Sequence, residues 1–539
     1  MGAVRDQPLS GRGRDFAIAF AAGAAMLLAS LANFLTHNSY PYLRVEIGLI
    51  VAGMLALAAL MAAWYLPQRQ WGRSFLEGLL AAVFIDLNTD SIWLMPSVLL
   101  AVGAFTAWRG VSLLAPMAIL GSVICLTTLA GLGGRPPWIV TMMGDAPAGQ
   151  KRNLPAVIHL ILDEHIGLEG LAYEGPKGIA VRDELLSKLL GAGFSVFGGA
   201  YSEHYHSANS VPFMLNYGQG LGLNTQRRGV ETGPTLHLKR LVAQGYRLTV
   251  LQSDYADFCT GARYFQCMTY DSSSLHPTLL APMHAVRRAE LIFHKVLKLS
   301  DLFGGGMKIW DIGRSYVLRA GVDLPRYSPT PGHSSSVGSM EAFHYLLKRL
   351  ETARPGDAFF AHLLFPHHPY VVGGDCQYVL RPWEGLTTQG SLAKKRAAYY
   401  EQLGCVQQKV QAALSALSKS SANTNHVIII HGDHGSRLTR RMGASNQEAG
   451  QFDDGDMIAS FSTLFAVRTA VPTPQYSDAR APVSLLLREF ADSQFMHPPI
   501  PPTPSRHLVF LADSNWKPLR RVPMPASWTK GLDRPAQGQ

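Results

Sequence analysis

The first quarter of this 539-residue chain is far more apolar than the rest, and this contrast limits the folds open to it. Residues from Phe16 to about Leu132 are overwhelmingly apolar, whereas the remainder has ordinary globular proportions. A helix that crosses a membrane needs about 20 mainly apolar residues. The candidate stretches are Phe16–Leu35, Val45–Leu66, Phe75–Trp108 and Val111–Leu132. We therefore expect a membrane unit followed by at least one globular domain.

The third apolar stretch is too long for a single span. It is interrupted by four polar or helix-breaking residues, Asp86, Asn88, Asp90 and Pro96. We interpret it as two helices joined by a short polar turn, which gives five spans in residues 1–134. A linker rich in proline and glycine is expected over 135–155. A cleaved signal peptide does not explain the pattern, because several further spans follow the first.

The arginines predict on which side of the membrane the globular part lies. They precede the first span or lie between the second and third or the fourth and fifth: Arg5, Arg12, Arg14, Arg69, Arg73 and Arg109. Five spans place all of them on one side, which the positive-inside rule makes the cytoplasm. Everything after about Gly134 is then extracytoplasmic. Four spans, the alternative, would place the globular part in the cytoplasm.

Charge and cysteine content limit the partners and the compartment. The formal net charge of +10 is spread along the chain, so no nucleic-acid partner is indicated. Four cysteines lie beyond the apolar region, which fits disulfides in an oxidising compartment. They allow three pairings, of which we predict the local ones, Cys259–Cys267 and Cys376–Cys405. A cysteine metal site is the alternative, but the chain has no Cys-x-x-Cys pair.

From Ala156 onward, apolar strands alternate with helices. Strands are predicted at 157–163, 246–252, 358–364 and 426–430, and helices near 181–190, 236–244 and 394–417. Such alternation predicts a mostly parallel sheet flanked by helices. We expect this α/β domain to occupy 156–495. A proline-rich tail, irregular except for a strand at 508–511, is expected over 496–539.

Two of these strands end in side chains that can bind a metal ion. The strand at 157–163 ends in Asp163, followed by Glu164, and the strand at 426–430 leads to Asp433 and His434. Ligands bind at the carboxyl edge of open α/β sheets, so these groups are expected to meet. A carboxylate and an imidazole together suit zinc. The alternative for each segment is a helix-capping aspartate.

A serine and two histidines are further candidates for this site. Pro212 fits the first turn of a helix, and a hydroxyl upstream of it would lie near the positive helix end. Ser207 is the candidate nucleophile, although Ser210 fits an ordinary N-cap better. His367 and His368 lie between prolines after a predicted strand. His367 can bind a phosphoryl oxygen or protonate a leaving group.

Taken in order, these segments resemble the alkaline-phosphatase/sulfatase-like superfamily. The order is a strand ending in Asp163, the segment Ser207-Ala-Asn-Ser-Val-Pro, the segment His367-His-Pro-Tyr and a strand ending in Asp433-His-Gly. With five spans before an extracytoplasmic domain, the chain is similar to phosphoethanolamine transferases of lipid A. It is also similar to lipoteichoic acid synthase-type phosphoglycerol transferases. The resemblance implies an alkaline-phosphatase-like fold and a Cys259–Cys267 disulfide.

The resemblance also implies a metal centre. Zinc, or manganese, would be held by Asp163, Ser207, Asp433 and His434. Ser207 would be the nucleophile and would form a covalent phospho-serine intermediate. Asp163 replaces the glutamate that is usual in the transferases and matches the aspartate of sulfatases.

The implied activity is the transfer of a phospho-head-group, either phosphoethanolamine or phosphoglycerol. The donor would be a phospholipid and the acceptor an envelope glycan or glycolipid, with His367, His368 and Glu164 binding substrate. The implied location is the bacterial inner membrane, with the catalytic domain in the periplasm. A membrane-anchored phosphodiesterase or sulfatase is the alternative, although the signature Cys/Ser-x-Pro-x-Arg is absent. A third possibility is a non-catalytic scaffold.

Overall fold

The protein divides into two compact units. The computed structural model describes residues 9–38, 40–88, 94–131, 138–142, 154–220, 225–226, 229–231, 233–270, 284–298, 335–379, 392–422, 425–436, 438–439, 452–501, 507–512, 518–525 and 528. Unit 1 comprises Met1–Pro137 and Leu275–Gly332. Unit 2 comprises Trp138–Ser274 and His333–Gln539.

Helices and strands alternate through most of the described chain. The helices are α1 (Leu9–His37), α2 (Val45–Tyr65), α3 (Gln70–Asn88), α4 (Leu94–Arg109), α5 (Leu114–Gly131), α6 (Leu168–Tyr173), α7 (Pro176–Gly191), α8 (Ser207–Leu215), α9 (Leu236–Ala243), α10 (Ala285–Lys298), α11 (Ser335–Leu350), α12 (Leu392–Ser418), α13 (Asp454–Phe461) and α14 (Val483–Asp492). The strands are β1 (Trp138–Met142), β2 (Ala156–Leu162), β3 (Ser195–Phe197), β4 (Ala200–Tyr201), β5 (Thr225–Gln226), β6 (Gly229–Glu231), β7 (Arg247–Ser253), β8 (Ala256–Asp257), β9 (Gln266–Tyr270), β10 (Asp357–Leu363), β11 (His426–Gly432), β12 (Phe465–Arg468), β13 (Gln475–Ser477), β14 (Ala481–Pro482), β15 (Leu508–Ala512) and β16 (Pro518–Pro523).

Five helices occupy the apolar N-terminal region, the number predicted from the sequence. α1 packs against α2 and α5, and α3 packs against α4. Glycine permits the close contacts: a Cβ on Gly78 would lie 2.7 Å from the Leu99 carbonyl oxygen, and one on Gly121 would lie 2.8 Å from the Ala25 carbonyl carbon. Of the described helices, only α2 and the part of α1 from Gly11 to Thr36 are long and apolar enough to cross a membrane. The crossing of all five helices therefore remains a prediction.

Part of the polar turn predicted between the third and fourth helices is helical, and part lies outside the described residues. Asp86 and Asn88 lie in the last turn of α3, and Asp86 is only 1% exposed. Asp90 lies outside the described residues. Pro96 lies in the first turn of α4, where proline is tolerated because the first backbone N–H groups of a helix have no partner within it.

A segment from the middle of the chain joins unit 1. α10 packs against α1 and α2, with Ile292 and Val296 buried. Arg288 on α10 pairs with Glu46 on α2 at 3.0 Å. This grouping was not predicted, because the sequence of residues 270–340 shows only mixed helical and glycine-rich patterns.

Unit 2 is built on a nine-stranded mixed sheet with the order β1-β9-β7-β10-β2-β11-β12-β3-β13. The five strands from β9 to β11 are mutually parallel, whereas β1 and β12 run antiparallel to their neighbours in this central set. This confirms the mostly parallel sheet predicted from the sequence. In register, Leu162 of β2 lies beside Leu363 of β10 and Gly432 of β11. The carboxyl ends of these three strands therefore meet at one edge.

The main core of unit 2 lies against one face of this sheet. Val157, Ile161, Phe360 and Ile429 are fully or almost fully buried there, together with apolar residues of α8 and α14. Residues two apart on a strand point to the same face, so this alternation fixes the register of the parallel strands. A slip by one residue would also turn the site residues at the strand ends away from each other.

Two segments predicted to be irregular contain strands. β1 lies within the predicted linker 135–155 and pairs antiparallel with β9. In the C-terminal tail, the predicted strand is present as β15, but a second strand, β16, pairs with it. Both missed strands have a partner far away or in a proline-rich context, which local patterns do not reveal.

The two predicted disulfides are present. Cys259 bonds to Cys267, and Cys376 bonds to Cys405. Cys125 in α5 is the free cysteine. The alternative of a cysteine metal site is therefore wrong.

Candidate metal and catalytic site

Three residues predicted to bind metal lie together at the carboxyl edge of the sheet. Asp163 follows β2, and Asp433 and His434 follow β11. Their potential ligand atoms all lie within 4.8 Å of one another, and all three side chains are buried. The Nε2 atom of His434 is 3.3 Å from Asp433 Oδ2 and 3.9 Å from Asp163 Oδ1. One cation could contact all three.

The hydrogen bonds around these groups leave the inward-facing atoms available. Asp433 Oδ1 accepts the backbone N–H groups of Glu164 and His434 at 3.0 and 2.9 Å. Asp433 Oδ2 and Asp163 Oδ1 are buried without a hydrogen-bond partner. Buried carboxylate oxygens are costly unless they are paired or bind a cation, so these two atoms fit a metal ion.

The ring orientation of His434 also directs a potential metal-binding atom toward the two aspartates. Its Nδ1 atom lies 2.8 Å from the carbonyl oxygen of Gly435, which can only accept a hydrogen bond. Nδ1 therefore carries the proton, and the lone pair of Nε2 points toward the two aspartates. This is the arrangement expected of a metal-binding histidine.

The two carboxyl groups have opposite pKa shifts. Burial opposes ionisation of Asp163, but the neighbouring imidazoles, His367 foremost among them, lower its pKa to about 2. Burial and the negative charge of Asp163 raise the pKa of Asp433. A divalent cation would remove this repulsion and allow both groups to ionise.

Ser207 completes the centre. Its Oγ atom donates to Asp163 Oδ2 at 3.1 Å and lies 3.3 Å from His434 Nε2. It is the first residue of α8, where the helix dipole stabilises negative charge. The structure thus brings Ser207 together with the three candidate metal ligands.

Helix α8 begins earlier than its proline suggested. Pro212 is the sixth residue of α8 rather than part of its first turn, and His206 occupies the N-cap position. Ser210 lies inside the helix, with its Oγ buried and without a hydrogen-bond partner. The expectation that Ser210 fits the N-cap is therefore wrong, because the cap position lies four residues upstream.

Glu164, His367 and His368 form a second group, also within 4.8 Å of one another. His368 binds Glu164 twice, through its backbone N–H at 2.9 Å and its Nδ1 at 2.7 Å. His367 Nε2 lies 3.6 Å from Glu164 Oε1, and its Nδ1 lies 3.2 Å from Ser335 Oγ. Glu164 holds a left-handed conformation with φ of 63°, and its carbonyl accepts the Tyr399 hydroxyl at 2.6 Å.

His362 also lies at this site, although it was not predicted from the sequence. It lies within β10, fully buried, with Nε2 3.4 Å from Asp163 Oδ2. Neither ring nitrogen has a hydrogen-bond partner among the described residues. The available signal was a histidine placed next to the last residue of an otherwise apolar strand. Its importance depends on the pairing of β10 with β2, which the sequence does not specify.

Three buried histidines, His431 on β11, His159 on β2 and His237 on α9, form a chain of hydrogen bonds. His431 Nδ1 bonds the carbonyl oxygen of Gly432 at 2.7 Å, so its Nε2 accepts from His159 at 2.7 Å. His159 Nδ1 then accepts from His237 at 3.0 Å, and His237 accepts from the Tyr217 hydroxyl at 3.1 Å. Burial lowers the pKa of His237 to about 3 and that of His431 to about 4. The chain is therefore neutral, and its hydrogen bonds run in one direction toward the strand end that precedes Asp433.

No family model and no curated protein matches the chain. Solved structures do resemble it. One is the C-terminal periplasmic domain of EcEptC from Escherichia coli in complex with Zn, with 9% identity, a TM-score of 0.40 and coverage of 72% of this chain and 96% of that chain. The phosphonate monoester hydrolase of Agrobacterium radiobacter has 14% identity, a TM-score of 0.37 and coverage of 64% and 74%. A putative sulfatase from Bacteroides thetaiotaomicron has 14% identity, a TM-score of 0.37 and coverage of 65% and 72%.

A putative sulfatase is thus among the structures to which the chain is similar. With identities of 14% or less and TM-scores of 0.40 or less, the matches assign no activity, substrate or metal to this chain. Its chemistry has to be inferred from the side chains at the sheet edge.

Proposed function

We propose that the protein is a membrane-bound, metal-dependent phosphotransferase that uses Ser207 as its nucleophile. The observation that carries this proposal is the position of Ser207 Oγ, 3.1 Å from Asp163 and 3.3 Å from His434. A hydroxyl at a helix N-terminus beside three converging metal ligands suits attack on phosphorus.

Residues of this chain account for most of the steps of phosphoryl transfer. Zinc, or manganese, bound by Asp163, Asp433 and His434 would favour the Ser207 alkoxide and offset charge on the phosphoryl oxygens. Ser207 attacks the phosphorus and forms a phospho-serine, and the α8 N-terminus stabilises the negative charge that develops. His367 protonates the leaving oxygen, and Glu164 holds His368 beside it. In the second step His367, now neutral, takes the proton of an acceptor hydroxyl as that oxygen attacks the phospho-serine, and the bond from phosphorus to Ser207 breaks.

The apolar unit supports a lipid donor. A membrane anchor confines the enzyme to the surface where phospholipids are concentrated. We infer a phospholipid donor of a phosphoethanolamine or phosphoglycerol group and a glycan or glycolipid acceptor. The arginines that precede the first apolar stretch favour an inner-membrane protein with its catalytic unit in the periplasm.

A hydrolase with the same site is the second candidate, with water in place of the acceptor hydroxyl. The two are distinguished by incubating the purified protein with phosphatidylethanolamine or phosphatidylglycerol labelled in the head group. Transfer predicts label on a peptide containing Ser207 and its later movement to added envelope glycan. Hydrolysis predicts release of the free phospho-head-group whether or not glycan is present.

Replacement of Ser207 tests the proposed nucleophile. Ser207→Ala should abolish both diacylglycerol release and peptide labelling, a loss of at least about 10³-fold in rate. Ser210→Ala is the matched control, since Ser210 lies one helical turn away and makes no hydrogen bond through Oγ. Labelling that persists in Ser207→Ala would rule out the phospho-serine.

A further inference from the structure

Helix α10 carries apolar residues both on the face that packs and beside it. Ala289, Ile292 and Val296 are buried, and their spacing places them on one side of the helix. Val286 and Phe293, seven residues apart, lie on an adjacent stripe and are 64% and 37% exposed. A helix covered only by water would not be expected to keep a valine and a phenylalanine on one exposed stripe.

The contacts of α10 locate it at one end of α2. Arg288 pairs with Glu46, the second residue of α2, at 3.0 Å. Glu46 also accepts the Tyr40 hydroxyl at 2.7 Å. This buried polar cluster fixes α10 beside the connection between α1 and α2, because leaving either charge without its partner there would be costly.

The surface around this end of α2 is apolar as well. Leu43 is 86% exposed, and Tyr42, Val45 and Leu49 are also exposed. α2 is one of the helices long and apolar enough to cross a membrane. Both α10 and this end of α2 therefore expose apolar side chains of a kind that suits lipid, and aromatic residues such as Tyr42 and Phe293 are common at the membrane interface.

The direction of α1 identifies the leaflet. Arg12 and Arg14 lie at the beginning of α1, which the positive-inside rule places in the cytoplasm. The end of α1 and the start of α2 then lie at the outer surface. Since α10 is held at the start of α2, it shares that surface.

We propose that α10 is an interfacial helix that inserts Val286 and Phe293 into the outer leaflet of the membrane. Its partner is the lipid surface itself. This proposal does not depend on the activity of Ser207.

Spin labelling of the full-length protein tests the location. In a Cys125→Ala background, Phe293→Cys carries a nitroxide in nanodiscs of phosphatidylethanolamine and phosphatidylglycerol. Val471→Cys is the matched control, because Val471 is 77% exposed and belongs to unit 2. We expect label at position 293 to collide with oxygen several-fold more often than with a water-soluble nickel chelate, and label at position 471 to show the reverse.

Two results would overturn the proposal. Label at position 293 that is as accessible to the nickel chelate as label at position 471 would show that α10 faces water. Label that is immobile and inaccessible to both reagents would show that another protein or a second copy covers the helix. Val286→Cys provides an independent site on the same stripe if Phe293→Cys fails to fold.

Discussion

At the scale of single residues, the buried pair Asp163 and Asp433 is the feature that most needs a cation. Two carboxylates lie within reach of one another, each with an oxygen that lacks a hydrogen-bond partner. The folded protein without metal must therefore either hold a proton there or tolerate repulsion. Metal binding should consequently be visible as stability, independently of catalysis.

The variant Asp433→Asn tests whether metal binding stabilises the folded protein independently of catalysis. The amide keeps the oxygen that accepts the backbone N–H groups of Glu164 and His434 but removes the negative charge. In EDTA the variant should be at least as stable as the parent, because the repulsion is gone. Zinc at about 100 times its dissociation constant should stabilise the parent by about 2.7 kcal/mol and leave the variant unchanged.

Thermal unfolding with and without zinc measures this difference. Asp454→Asn is the matched control, since Asp454 is an exposed acid outside the site and its loss should leave the zinc response intact. A zinc-dependent rise in the melting temperature of Asp433→Asn equal to that of the parent would contradict the proposed ligand set.

His204 gives unit 2 a specific dependence on pH. Burial and the charge of Arg521 lower the pKa of His204 to about 4, and its ring stacks on Phe510 with centroids 4.5 Å apart. In the unfolded chain the pKa is about 6.5. The unfolded state therefore binds a proton that the folded state does not, and stability is lost as pH falls from about 6.5 toward 4.

The variant His204→Phe should remove this loss of stability at low pH and keep the ring stacked on Phe510. At pH 7 the two proteins should have similar urea midpoints, whereas at pH 5 the variant should be more stable by about 2 kcal/mol. Urea titrations of both proteins at pH 7 and pH 5 measure this difference in stability. His497→Phe, which alters an exposed histidine, should show no such gain at pH 5.

At the scale of elements, the site depends on how β2, β10 and β11 are aligned. Arg247 at the start of β7 forms two hydrogen bonds to Asp357 at the start of β10, at 2.8 and 2.9 Å. Asp357 also accepts the backbone N–H of Arg354 at 2.9 Å. This pair holds the amino ends of two parallel strands, whereas the candidate site lies at the opposite edge of the sheet, after β2 and β11.

Asp357→Ala should destabilise unit 2 by about 2–3 kcal/mol, because the aspartate is buried and Arg247 loses its partner. Asp492→Ala removes the partner of Arg240 in an exposed pair and should cost no more than about 1 kcal/mol. Chemical denaturation of both variants gives the comparison. Equal costs would show that burial of the Arg247–Asp357 pair does not matter.

At the scale of the whole molecule, the two units have separate cores, so unfolding is expected in more than one step. The candidate metal ligands all lie in unit 2. Hydrogen exchange should therefore show zinc-dependent protection at the ends of β2 and β11 and little change in α1–α5. Equal protection of α1–α5 would show that the units unfold together.

Much of unit 2 was predictable because its signals are local. The apolar runs that became β2, β7, β10 and β11 were identified to within one or two residues, and they alternate with helices as in other parallel sheets. The positions of Asp163 and Asp433 at strand ends followed from the same pattern. Conversely, the start of α8 was misjudged from Pro212, since a proline marks a first turn only when the rest of the helix permits it.

The amino-acid sequence was enough to predict an apolar helical part, an α/β part and the strands that end in side chains able to bind a metal ion. These properties depend on hydrophobic periodicity, which is encoded in neighbouring residues. Only the folded structure shows that His362 lies beside Asp163, that His431, His159 and His237 form a hydrogen-bonded chain, and that α10 packs with α2. Each of these arrangements joins residues far apart in the chain, and their pairing depends on strand order and packing rather than on local pattern.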